Sequence, residues 1–118
     1  GIRRYQMPDY IPGSDEKFLE WSKNLYAYAV ANFSRWSVPS PQTALESRLS
    51  AYETTFETAQ NPNRGKVDIL AKNEARDALK KDIRVYVKAY LINNPAVTDE
   101  DKAANAWVVS LISVSFSR

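Results

Sequence analysis

The stretch that decides the fold is residues 40–65, which read SPQTALESRLSAYETTFETAQNPNRG. Ser40 followed by Pro41 is typical of a helix start, because serine caps the first turn and proline lacks only an N–H that has no partner there. Apolar residues then recur at alternating steps of four and three, namely Leu45, Leu49, Tyr52, Phe56 and Ala59. This is a narrow seam of coiled-coil type, and the turn at residues 61–65 ends it.

Upstream of this stretch the sequence predicts an extended lead-in and a first helix. Residues 1–13 contain two prolines and a glycine and are expected to be extended. Ser14 is a good N-cap, and broad apolar recurrence predicts a helix over residues 15–34. The lead-in has no apolar stretch of the kind found in signal peptides.

Downstream the sequence predicts a third and a fourth helix. Asp68 is expected to cap the third helix, which ends near residues 93–95 and carries small alanines that would let a neighbour approach closely. Residues 98–101, TDED, resemble a capping box with Asp in place of the usual Glu or Gln. A fourth helix is therefore expected from Asp99 through about Ser110.

The tail at residues 111–118 allows two interpretations. Ile112, Val114 and Phe116 alternate with serines, which is strand-like periodicity, so the tail is left open between helix and strand. It either docks and completes the core, or forms an exposed apolar strip that favours self-association.

Taken together, these patterns predict an all-α fold. Short connections favour antiparallel neighbours, so we expect an up-down bundle of three long helices plus a shorter C-terminal fourth, forming one domain over residues 14–118. A length of 118 residues, with 44% apolar and 25% charged residues, fits a single soluble globular domain.

Composition excludes several classes of site. The chain has no Cys and no His, which removes Cys/His zinc sites, histidine-based nucleophile systems and haem held by His or Cys. Isolated pairs such as Glu16 with Glu20, or Glu53 with Glu57, are expected to be exposed surface charges rather than catalytic groups. No apolar run is long enough to span a membrane. We therefore expect no enzyme activity, no cofactor, no metal and no membrane span. The compartment stays open.

One basic pattern points to an anion or nucleic-acid partner. Five cations follow one another at steps of four along helix three: Lys72, Arg76, Lys80, Arg84 and Lys88. They trace a slanted ribbon that could contact phosphates. The alternative is a solvated face that pairs with Glu46, Glu53 and Glu57 and with acidic residues on the same helix, and the net charge of only +2 favours this alternative.

Aromatic residues are crowded into the first third of the chain. Most of them recur at helical spacing and are expected in the core rather than on a stacking platform for sugars or bases. Tyr5 and Tyr10 lie outside any predicted helix. With Ile112, Val114 and Phe116 of the tail, they are the residues that we expect on an interaction surface.

Several stretches resemble a bacterial family. They are DYIP at residues 9–12 with Phe18 and Trp21, WSVP at residues 36–39 followed by the helix-two seam, KNEAR at residues 72–76, and NPAVTDED at residues 94–101. The chain is similar over about residues 9–102 to proteins of Bacteroidetes and spirochaetes whose N-terminal half is a helical bundle. In that family a Pro/Thr-rich linker and a β-rich domain usually follow, and here the sequence departs after Lys102.

The resemblance implies a bundle and brings no activity with it. We therefore expect a non-catalytic interaction or assembly module that binds a protein partner or itself. The competing hypothesis is an anion- or nucleic-acid-binding module that uses the basic ribbon of helix three.

Overall fold

The computed structural model of the chain describes residues 11–105. Within that range it contains four α-helices and one π-turn, and no strand. The predicted all-α fold is confirmed. No helix in this range is both long and apolar enough to cross a membrane.

The first helix, α1 (Asp15–Trp36), starts as predicted and extends beyond residue 34. Ser14 is the N-cap, and its Oγ accepts the N–H of Lys17 at 3.2 Å. The last turn stays helical because Trp36 is buried in the core. Ser37 then stops the helix in the left-handed conformation, with φ at 60°.

The second helix, α2 (Pro41–Ala59), confirms the predicted start and the predicted seam. The Oγ of Ser40 accepts the N–H of Gln42 at 3.1 Å, and Pro41 occupies the first helical position. The seam faces the core, where the following side chains are buried or half-buried: Leu45, Leu49, Tyr52 and Phe56.

The third helix, α3 (Lys66–Tyr86), starts earlier than predicted. Gly65, rather than Asp68, occupies the N-cap position, with an extended backbone. Asp68 lies within the first turn, where its Oδ2 accepts the N–H of Gly65 at 2.9 Å. The prediction of Asp68 as the cap was wrong because a carboxylate at the third helical position can bind back to the cap residue.

A π-turn, Val87–Leu91, follows α3 directly. The N–H of Ile92 donates to the carbonyl of Val87 at 3.0 Å, which is the five-residue spacing of a π-helix. The wider turn brings both Val87 and Leu91 into the core, where neither is exposed. The helical continuation to about residue 93 was predicted correctly, but its change of period was not.

The fourth helix, α4 (Asp99–Asn105), starts as predicted with a capping box. The N–H of Asp101 donates to Thr98 Oγ1 at 3.1 Å, and the N–H of Thr98 donates to Asp101 Oδ2 at 2.9 Å. The predicted continuation to about Ser110 lies outside the described residues.

The three long helices form an up-down bundle. The second packs against both the first and the third, and α4 packs against α1. Arg48 of α2 pairs with Asp82 of α3 at 3.0 Å, and the Tyr86 hydroxyl donates to the Pro39 carbonyl at 2.7 Å. Because early positions of α2 meet late positions of α3, these helices are antiparallel. Ile11 of the lead-in is also buried against the bundle.

Candidate interaction surface

A buried carboxylate joins α4 to the end of α1. Asp101 is only 3% exposed. Its Oδ1 accepts the Tyr28 hydroxyl at 2.5 Å and Arg35 Nη2 at 2.8 Å. Its Oδ2 accepts Trp36 Nε1 at 3.1 Å and the N–H of Thr98 at 2.9 Å. Four residues therefore converge on one side chain.

This carboxylate is held ionised. Burial opposes its ionisation, but the hydrogen bonds from Arg35, Tyr28, Thr98 and Trp36 outweigh burial and hold the pKa of Asp101 well below its ordinary value. A group that stays ionised at neutral pH, with both oxygens occupied, is not poised to exchange protons with a substrate. Asp101 therefore acts as a structural link between two helices.

The first two cations of the basic ribbon also have structural partners. Lys72 Nζ lies 2.5 Å from Asp15 Oδ2, and Arg76 Nε lies 3.3 Å from Asp15 Oδ1. The Arg76 contact is an ion pair without hydrogen-bond geometry at Nε, whereas Arg76 Nη2 donates to the carbonyls of Pro12 and Gly13. The guanidinium also lies 5.0 Å from the centre of the Phe18 ring. Through these contacts Arg76 holds the lead-in against α3, and both cations hold the start of α1 against α3.

The other three cations of the predicted ribbon differ in burial. Lys80 is half-buried, and Arg84 and Lys88 are exposed. The pairing predicted for the acidic residues also differs, since Glu53 pairs with Lys23 of α1 at 3.1 Å rather than with the ribbon. The structure thus divides the ribbon into an inner pair fixed by Asp15 and an outer group of three.

A different surface of α3 presents apolar side chains to solvent. Val67 is 75% exposed, Leu70 is 59% exposed and Val85 is 58% exposed. These three residues belong to a series with Glu74, Ala78 and Lys81. The members of the series follow one another at steps of three and four, which places them all on one side of a 3.6-residue helix. We call this surface the outer face of α3 and define it by Val67, Leu70, Glu74, Ala78, Lys81 and Val85.

The outer face points away from the core. Leu79, Ile83 and Tyr86 are the buried residues of α3, and they lie on the opposite side of the helix. Glu74 and Lys81 are exposed, and among residues 11–105 no ion pair is formed by either of them. The face therefore combines exposed aliphatic side chains with charges that have no salt-bridge partner in the described part of the chain.

Three depressions in the described surface are shallow. One of about 250 Å³ lies where α1 starts and α2 ends, beside Asp15 and Lys72. Two others, of about 270 and 320 Å³, lie on either side of Tyr90 at the π-turn. Tyr90 is 38% exposed, and its ring meets the Tyr86 ring edge-on at 5.3 Å. Burial of the Tyr86 phenol, with a smaller effect from the neighbouring Tyr90, raises the pKa of Tyr86 to about 12.

The aromatic residues described in the first third of the chain are largely packed inside. Phe18 and Trp36 are buried, while Trp21, Tyr26 and Tyr28 are partly buried against the core. This agrees with the core interpretation rather than with a stacking platform. The predicted surface residues Tyr5, Tyr10, Ile112, Val114 and Phe116 lie outside the described residues.

Sequence reasoning missed the outer face of α3. The signal was present, because residues 67, 70, 74, 78, 81 and 85 follow helical steps. It was overlooked because the cations at steps of four are more conspicuous and because the helix start was placed at Asp68, which left Val67 outside the helix.

Searches with the chain found no matching family model, no matching curated protein and no matching solved structure. The resemblance to the bacterial bundle family therefore stays a prediction. Among residues 11–105 no group of three or more acidic side chains is placed to hold a metal ion.

Proposed function

We propose that the chain is a non-catalytic helical interaction module that binds a protein surface through the outer face of α3. One observation carries this proposal: three aliphatic side chains, Val67, Leu70 and Val85, are each more than half exposed on a single side of one helix. Isolated apolar residues are common on protein surfaces, but an aligned set on one helix is typical of a docking face.

The chemistry of the face favours a protein over a small ligand. Leu70 stands on a convex helix surface and Val85 lines a shallow, open depression of about 270 Å³, whereas small ligands are bound in concave, largely enclosed pockets. Aliphatic side chains lie toward both ends of the face, and the charged side chains of Glu74 and Lys81 lie between them, so a protein surface can meet both apolar and charged contacts there.

The nucleic-acid alternative has weaker support. Lys72 and Arg76 are engaged by Asp15, so only the outer group of Lys80, Arg84 and Lys88 could contact phosphates. Each contact between a cation and a phosphate makes the affinity fall more steeply as the salt concentration rises. A site with only three such contacts is therefore expected to bind nucleic acid weakly at physiological salt.

Site-specific photo-crosslinking tests the proposal. A photoreactive phenylalanine analogue is placed in the full chain at Leu70, at Val85, or at Ser50, an exposed position on α2. We expect covalent adducts of discrete mass from Leu70 and Val85, in purified protein or in cells that produce it, and none from Ser50. Adducts at Val85 should disappear when Leu70 is replaced by Ser. Equal labelling at all three positions, or none, would remove the support for this face.

A further inference from the structure

Four residues of the outer face of α3 have a self-complementary order along the helix: Leu70, Glu74, Lys81 and Val85. Leu70 and Val85 lie equally far from the midpoint between Asp77 and Ala78, and so do Glu74 and Lys81. If two copies of α3 lie antiparallel with these midpoints together, each position meets the position at the same distance in the other copy. An aliphatic residue then meets an aliphatic residue, and a carboxylate meets an ammonium group.

We propose that the partner of this face is a second copy of the chain, bound with the two α3 helices antiparallel about a two-fold axis through that midpoint. This inference rests on the proposed function, since it uses the same face. Leu70 contacts the partner's Val85, and Glu74 pairs with the partner's Lys81. By symmetry each contact occurs twice, as in any isologous interface.

The charges of the face favour a second copy as its occupant. Glu74 and Lys81 are exposed and form no ion pair among the described residues, and the antiparallel arrangement satisfies both of them with one partner. A parallel arrangement would bring like charges together. Asp77 and its symmetry copy lie at one rim, where Lys81 of either copy is about one turn away and offsets their repulsion.

The centre of the face allows close approach. Ala78 lies beside the midpoint, and Ala71 lies about two turns before Ala78 on the same side of the helix. Small side chains between two helices shorten the distance between the helix axes, which brings the aliphatic and charged pairs into contact. The contacts from Leu70 to Val85 span about 22 Å at a rise of 1.5 Å per residue.

Charge reversal in the full chain tests this arrangement. Glu74→Lys and Lys81→Glu each place like charges opposite each other in the homodimer, twice over. We expect the mass by light scattering to rise from 13.4 kDa toward twice that value with concentration for the unaltered chain. For each single variant we expect dimerisation to weaken by at least about 10-fold. An equimolar mixture of the two variants restores opposite charges at every pair, so the mixture should dimerise again.

A matched control reverses an exposed charge off the face. Glu57→Lys on α2 should dimerise like the unaltered chain, and circular dichroism should show the same helix content for all variants. A mass that stays at 13.4 kDa up to about 1 mM, or single reversals that leave dimerisation unchanged, would overturn the antiparallel dimer. If the chain is monomeric while the probe at Leu70 still labels a different protein, the dimer fails and the proposed function stands. If the probe labels nothing, both fail.

Discussion

Replacing Asp101 by asparagine removes the charge from a carboxylate on which Tyr28, Arg35, Trp36 and Thr98 converge. The amide keeps the shape of the side chain but offers one acceptor oxygen instead of two. Its NH₂ group must therefore face a donor. The Tyr28 hydroxyl can rotate and accept, whereas the Arg35 guanidinium cannot accept and must turn toward solvent.

The size of the effect follows from what is lost. A hydrogen bond to a charged group contributes about 1.5–3 kcal/mol, and a buried carboxylate that loses its cation costs about 3–5 kcal/mol. The Arg35 side chain is 48% exposed, so solvent screens its ion pair with Asp101. The destabilisation is therefore expected near the lower end of these free-energy ranges. We expect Asp101→Asn to lower the free energy of unfolding by about 2–3 kcal/mol and the melting temperature by roughly 10 °C.

The assay is urea denaturation followed by circular dichroism at neutral pH, with Asp99→Asn as the control. Asp99 is an exposed carboxylate in the same helical turn, so its replacement should cost no more than about 0.5 kcal/mol. Equal effects of the two substitutions, with unchanged hydrogen-exchange protection at the Thr98 amide, would refute the idea that Asp101 fastens α4 to α1.

The same link predicts a pH dependence. Because the pKa of Asp101 is lowered in the folded state, its stabilisation is complete above the pKa of the unfolded carboxyl, which is about 3.9. It is lost progressively as the pH falls from about 4 toward the lower folded pKa. The stability difference between the unaltered chain and Asp101→Asn should therefore be largest near pH 7 and shrink between about pH 4 and pH 2. A difference that does not vary with pH would contradict this assignment.

Three further predictions concern other sites. Ser22→Ala should leave stability unchanged or raise it by up to about 1 kcal/mol in urea denaturation, because the buried Ser22 Oγ has no hydrogen-bond partner within residues 11–105. Asp15→Asn should cost about 1–2 kcal/mol, against a few tenths for the exposed Glu16→Gln, because two half-buried cations lose their anion. The double substitution Arg84→Ser and Lys88→Ser should abolish any salt-sensitive retention on heparin, and retention that persists would exclude these two cations as its cause.

The parts of the fold that depend on local sequence could be predicted. Capping by Ser14, Ser40 and Thr98 was predicted correctly, because a cap is set by a few adjacent residues. The seam of α2 was predicted because its period is visible within one helix. The shift at the π-turn was not, since turning both Val87 and Leu91 inward depends on how the surrounding helices leave space for them.

The candidate sites were harder to predict because they depend on residues far apart in the chain. Asp101 was expected only to cap α4, and nothing in residues 98–101 indicates that Tyr28 and Arg35 will lie beside it. Likewise, nothing in the sequence around Asp15 indicates that this residue is the anion that engages Lys72, which lies 57 positions further along the chain. Long-range ion pairs of this kind follow from the packing of helices and cannot be predicted from any single stretch of the sequence.

The bond between Arg35 and Asp101 joins residues 66 positions apart, and the segment that it encloses contains all of α2 and α3. Closing a loop of that length costs chain entropy before its contacts form. Pairing α2 with α3 costs less entropy, because the connection between these two helices is short. We therefore expect α4 to dock after the transition state for folding. Asp101→Asn should then accelerate unfolding and leave the refolding rate nearly unchanged in stopped-flow measurements. The side chain that joins α4 to the end of α1 would thus govern how long the native bundle lasts, rather than how quickly it forms.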